Sequence, residues 1–153
     1  MIRELKSYRP VSNNIFVSQI CEKAVYEQVF DHFSINGLFH PNNHGFRPNH
    51  STATALIQLY DLWLQSAERQ EITAALLLDL SAAFDLVDHE LLLRKLHEYG
   101  FSNSSINLFT SYLNNRIQYV QVESHLSDPK PTGKQGVPQG SILGPLLFLI
   151  FLQ

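Results

Sequence analysis

The chain has 153 residues, 44% of them hydrophobic, with 11 Lys and Arg against 14 Asp and Glu and a single cysteine. That balance belongs to a folded globular chain and excludes disorder, a collagen-like repeat and a disulfide-stapled scaffold. The net charge of −3 argues mildly against nucleic-acid binding, but the deficit is concentrated: residues 1–50 and 101–153 each carry +1, while 51–100 carry −5 and include Asp79, Asp85 and Asp88.

The opening residues, MIRELKSYRP, have no apolar core of a secretory signal, which predicts an intracellular protein, cytoplasmic or nuclear. From Val17 to Phe33, the residues Val17, Ile20, Cys21, Ala24, Val25 and Val29 fall at helical spacing, with Gly37 as a stop. Residues 38–51, LFHPNNHGFRPNHS, form a loop rich in Pro, Asn and Gly. Its three histidines, His40, His44 and His50, lack the cysteines and the pair spacing of a structural zinc site. A second helix follows, with Ser51 as N-cap and Leu56, Leu59, Tyr60, Trp63, Leu64 and Ala67 as its apolar positions. Thr73–Leu80, TAALLLDL, is a short apolar run that predicts a buried strand carrying Asp79 to the end of a sheet.

Asp88 caps the next predicted helix, which holds Leu91, Leu92, Leu96 and Tyr99 and stops at Gly100. Another, capped by Ser102 or Ser104, contains Ile106, Phe109, Thr110 and Leu113. Residues 117–123, IQYVQVE, predict a strand. After a Pro- and Gly-rich stretch, Ile142–Leu152 reads as a core helix, with Pro145 in its first turn, and is too short and interrupted to span a bilayer. No later residues follow to cover Phe148–Leu152, so the pattern predicts a fragment with an exposed C-terminal apolar segment, prone to self-association.

Four stretches stand out in order: YRPVS at 8–12, HGFRPNHST at 44–52, LLLDLSAAFDLVDH at 76–89 and QGVPQGSILGPLLF at 135–148. Taken singly, each has a plain structural explanation: a strand-end or capping Asp, a core Phe, a proline turn, a surface Arg. Together they resemble the reverse transcriptase of non-LTR (LINE-type) retrotransposons, from about Tyr8 to the last residue. The resemblance implies an α+β fold of the right-hand polymerase kind, with residues 1–70 as fingers, 71–153 as a partial palm, and an incomplete antiparallel sheet with packed helices. It implies RNA-templated DNA synthesis, with an RNA template, a DNA primer, deoxynucleotide triphosphates and two Mg²⁺ ions as partners.

Residue by residue, the resemblance makes Asp79 the catalytic metal ligand, assisted by the backbone carbonyl of Leu80. These are the hard oxygen donors that Mg²⁺ prefers. It sets Phe84 against the sugar of the incoming nucleotide, where a wall at the 2′ position selects deoxynucleotides. Gln139 and Gly140 fall beside the sugar and primer end, with Gly136 and Gly140 allowing close approach to backbone. Arg9 matches an arginine used on the triphosphate, a role that suits the planar guanidinium. Arg47 is a candidate for template or nucleotide phosphate, and Lys6, Lys130 and Lys134 for backbone phosphates. Asp85 and Asp88 are left with loop or capping roles.

One feature of the family is missing. Its second carboxylate source is a Tyr-x-Asp-Asp hairpin, and this chain contains no adjacent Asp-Asp pair. Two readings therefore stand: fingers and partial palm of an RNA-directed DNA polymerase, inactive as this isolated chain, or a non-catalytic remnant that binds nucleic acid or a protein.

Overall fold

A computed structural model describes residues 11–153 and shows five helices and four short strands among them. Helix α1 (Phe16–Ile35) is followed by a long loop and α2 (Thr52–Glu68). Then come α3 (His89–Glu98) and α4 (Asn103–Leu113). An irregular hairpin carries β1 (Ile117–Gln118), β2 (Gln121–Val122), β3 (His125–Leu126) and β4 (Lys130–Pro131). Helix α5 (Leu143–Leu152) comes last. Mixed helices and small antiparallel sheets are compatible with the expected α+β class.

The helix ends follow from local chemistry. Ser51 accepts from the Thr54 amide while the Thr54 side chain accepts from the Ser51 amide, a reciprocal capping box. The Asp88 carboxylate accepts from Leu91 N at 2.8 Å, and of the two serines expected to cap α4 it is Ser102 that accepts from Ser105 N.

Helix α5 is apolar on every side, and such a helix is stable only when surrounded. Leu143, Gly144 and Leu146–Ile150 are buried, with α1 and α3 packed against the helix. Around it gather Val29 and Phe33 of α1, Leu92 and Leu96 of α3, and Phe109 and Leu113 of α4. Phe33 is the hub of an aromatic group, with ring centroids 5.2 Å from Phe39, 5.0 Å from Tyr99 and 6.2 Å from Phe101. The exposed C-terminal apolar segment expected from the sequence is thus corrected: α1 and α3 turn back over it, and only Leu152 remains largely open. The Lys95 ammonium donates to the Phe151 carbonyl at 2.8 Å, satisfying one of the acceptors that a helix end leaves free.

Exposed apolar surface lies elsewhere. Helix α2 forms as expected but buries no residue and packs on no other helix or strand among the described residues. Residues 71–80 belong to no helix or strand, so the predicted buried strand at 73–80 is not formed; Ile72 is 100% and Leu77 90% exposed. A strand needs a neighbour for its amides and a layer over each face. Among the described residues the strands pair only with one another, β1 with β4 and β2 with β3. The strand expected at 117–123 is likewise broken in two. Pairing of Ile117 with Pro131 and of Gln121 with Leu126 differs by one residue in register, so the return strand bulges at 127–129. Ser127 spans that bulge, its amide donating to the Val120 carbonyl and its hydroxyl oxygen accepting from the Val120 amide.

Helix α1 is turned relative to expectation. Val29 and Phe33 are buried, but Val17, Ile20 and Cys21 are exposed. Val17, Cys21 and Val25 instead line an open groove of about 570 Å³ with Leu108 and Tyr112 of α4. Burial raises the pKa of the Tyr112 phenol.

Candidate nucleotide site

A hydrogen-bonded loop system joins residues 82–89 to residues 134–140. Gly136 N donates to Val87 O at 2.8 Å and Val137 N to Phe84 O at 2.9 Å. His89 N donates to Lys134 O at 3.2 Å, and the buried His89 ring meets Gly136 O through Nε2 at 2.8 Å. Since a carbonyl only accepts, Nε2 carries a proton, and the buried Nδ1 has no hydrogen-bond partner. Two glycines make the joint possible. A Cβ on Gly136 (φ +91°) would lie 3.2 Å from Asp85 O, and one on Gly140 (φ +94°) 3.1 Å from Val11 Cγ1 and 3.2 Å from Ser12 O. Both are therefore demanded by backbone packing within the chain, a reason the sequence alone does not reveal.

All four sequence stretches meet here. Phe84 stacks on Phe148 of α5, with centroids 4.7 Å apart, and receives the edge of Phe46, from the HGFRP loop, at 5.7 Å. Ser12 N donates to Gln139 O at 2.8 Å, and Gln139 Nε2 donates to Asp85 Oδ1 at 3.1 Å. Ser12, Asp85, Arg116 and Gln135–Gln139 line a polar cleft of about 270 Å³.

Phe84, Gln139 and Gly140 are thus brought together. Asp79 and Leu80 are not joined to them: they lie on the exposed segment before the turn at 82–85 and make no hydrogen bond to another described residue. Arg9 and Lys6 lie outside the described residues. Arg47 turns inward, Nη1 donating to the carbonyls of His40 and Asn43 at 3.1 Å each, with the guanidinium 5.0 Å from the Phe39 ring centre. Its observed work is to hold the loop. Lys134 forms an exposed pair with Glu90 at 3.6 Å, a contact of little energetic weight. His44 commits both ring nitrogens to the start of α2, at 2.9 Å from Thr54 Oγ1 and 2.6 Å from Gln58 Oε1. No group of three or more His, Cys, Asp or Glu side chains able to hold a metal occurs among the described residues.

Sequence reasoning missed Glu22. Its carboxylate is buried and accepts from Ile142 N at 2.8 Å and Leu143 N at 3.3 Å, capping α5 where the residue preceding the helix has no capping side chain. A negative charge also suits the positive end of the helix dipole. The signal was present: Glu22, Val25, Val29 and Phe33 form one helical stripe, and a charge on an apolar stripe calls for a buried partner.

The profile of the reverse transcriptase (RNA-dependent DNA polymerase) family matches residues 3–153. The chain belongs to this family. Relatives in Drosophila melanogaster include a probable RNA-directed DNA polymerase from transposon BS, 33% identical over 146 residues, and one from transposon X-element, 32% identical over 149. The RNA-directed DNA polymerase from mobile element jockey is 31% identical over 148. These matches cover 95%, 97% and 97% of this chain. The chain spans 16% of the length of each of these relatives. The segment is a reverse transcriptase domain sequence of the non-LTR retrotransposon type.

Proposed function

We propose that this chain forms the nucleotide-facing part of an RNA-directed DNA polymerase, its residues 1–70 serving as fingers and 71–153 as part of the palm. The observation that carries the reading is the clamp of 82–89 on 134–140, which puts Phe84 and Gln139 on one joint beside a polar cleft. In this reading Phe84 walls the sugar, Gln139 and Gly140 flank it, and Arg9 meets the triphosphate. Arg47 reaches phosphate only through nitrogens other than Nη1, which is occupied by the loop.

The substrates are an RNA template, a DNA primer and deoxynucleotide triphosphates. The chemistry is nucleotidyl transfer, for which Mg²⁺ bound in the site supplies charge stabilisation on the phosphates. Asp79 and the Leu80 carbonyl offer oxygens of the right kind, but the chain has no adjacent Asp-Asp pair and the described residues hold no group of three or more His, Cys, Asp or Glu side chains able to bind a metal, so this chain alone provides an incomplete ligand set. We therefore expect it to bind without turning over.

The test measures nucleotide binding and primer extension on an RNA template with Mg²⁺. The expected result is deoxynucleotide binding weakened by Asp79→Asn, ribonucleotides admitted by Phe84→Ala, and no extension. Extension abolished by Asp79→Asn would overturn the inactivity. Absence of nucleotide binding would overturn the site and favour the non-catalytic binding alternative, to which the exposed apolar side chains of α2 lend support.

A further inference from the structure

We propose that Glu22 is a positioning residue for the nucleotide site: its buried carboxylate fixes the loop that carries Gln139 and Gly140. The assignment rests on the site proposed above. Four backbone nitrogens open α5, and each is accounted for. Ile142 N donates to Glu22 Oε2 at 2.8 Å, Leu143 N donates to the same oxygen at 3.3 Å, and Gly144 N donates to Ser141 Oγ at 2.9 Å. The fourth belongs to Pro145, which has no N–H to satisfy. The first turn of α5 therefore keeps no free amide for a phosphate, and its work is to place the loop before it.

The other oxygen of Glu22 reaches a different segment. Asn14 Nδ2 donates to Oε1 at 3.2 Å, and two residues earlier Ser12 N donates to Gln139 O at 2.8 Å. Residues 12–14 and 139–142 thus form a closed circuit, joined at one end by Glu22 and at the other by the Ser12–Gln139 bond. Within it, Ser141 N and Oγ both donate to Pro138 O, at 3.2 and 2.8 Å, and a Cβ on Gly144 would meet that oxygen at 2.8 Å. Upstream, Val137 N is held by Phe84 O. Residues 138–141 are therefore pinned on both sides, by Phe84 before and by Glu22 after, with Gln139 between the pins. Removing the carboxylate releases the start of α5 and Asn14 together, so the Ser12–Gln139 bond loses its support from both segments.

The experiment measures amide hydrogen exchange at Ser12 N relative to Tyr99 N, which is bonded to Lys95 O at the end of α3 and lies outside the circuit. It also measures the affinity for dTTP with Mg²⁺. Glu22→Ala should raise the ratio of the two exchange rates by about tenfold or more and weaken dTTP binding by about threefold to tenfold. Glu22→Gln, which keeps an oxygen for the α5 amides, should raise the ratio by only about threefold. A merely structural role would speed both amides alike and leave the ratio unchanged. That result in Glu22→Ala, or in Glu22→Gln where the alanine variant does not fold, overturns the assignment, as does a raised ratio with dTTP affinity unaltered. Failure of the unsubstituted chain to bind dTTP, with the ratio still raised by Glu22→Ala, overturns the proposed nucleotide site, and the assignment with it.

Discussion

Two stretches of similar apolar richness meet opposite fates in this chain. In α5, Leu147 is completely buried in the core cluster, whereas Leu77, in the run TAALLLDL, is 90% exposed. Helix α2 sides with the latter, presenting Trp63, Leu64 and Tyr60 to solvent. Hydrophobicity sets the free energy available from burial, but collecting it requires a complementary surface within reach. Helix α5 finds one because α1 and α3 pack against it, and α4, packed on α3, adds Phe109 and Leu113 to the same core. Residues 52–80 meet no such surface among the described residues, so their stability contribution is local: a capping box, helix propensity and the His44 contacts.

The contrast can be tested by perturbing each side. Phe33→Ala, in the packed half, should lower unfolding free energy by about 3–5 kcal/mol, read from the urea midpoint, because the cavity opens among Phe39, Tyr99 and Phe101. A loss below about 1 kcal/mol would show that the aromatic hub is not a true core. Next comes Glu22→Ala, which strips two amides at the start of α5 of their acceptor and should cost about 2–3 kcal/mol. Glu22→Gln retains an acceptor and should recover roughly half of that. Equal losses in the two variants, measured by calorimetry, would mean that charge rather than hydrogen bonding matters.

Gly140→Ala tests the joint between the loops. Its positive φ and the close approach of Val11 and Ser12 predict a loss of about 1–2 kcal/mol. Faster hydrogen exchange at Ser12 N should accompany it. The smallest effects belong to the open half: Trp63→Ala and Leu77→Ser should each shift stability by less than about 0.5 kcal/mol while reducing association seen by light scattering. If Leu77→Ser instead destabilised the chain strongly, residues 71–80 would have to be packed in solution, and the comparison would collapse.

Much of the architecture was legible residue by residue. Among the described residues, helical spacing located α1–α4 and the apolar run at 142–152 located α5, and Ser51, Asp88 and Gly100 marked boundaries that the structure reproduces within a residue or two. Such signals are local: a cap needs only its own first turn. TAALLLDL was misread because an apolar run records a demand for burial and says nothing about where a partner strand lies. The buried face of α1 was half missed because several apolar residues compete on it, and the partner that chooses among them is far away in sequence.

For the site, sequence motifs named Phe84, Gln139 and Gly140, and the fold brings them onto one joint; it leaves Asp79 and Leu80 on open chain and gives Arg47 to its own loop. By itself the sequence determined the helices, their caps, the four stretches and the family they mark, since each depends on neighbours a few residues apart or on motif identity. Only the tertiary structure decided that Glu22 caps a helix 120 residues later, that Asp85 holds Gln139, and that the C-terminal helix is the centre of the core. Those are pairings between distant segments, whose free energy exists only once the chain has folded them into contact.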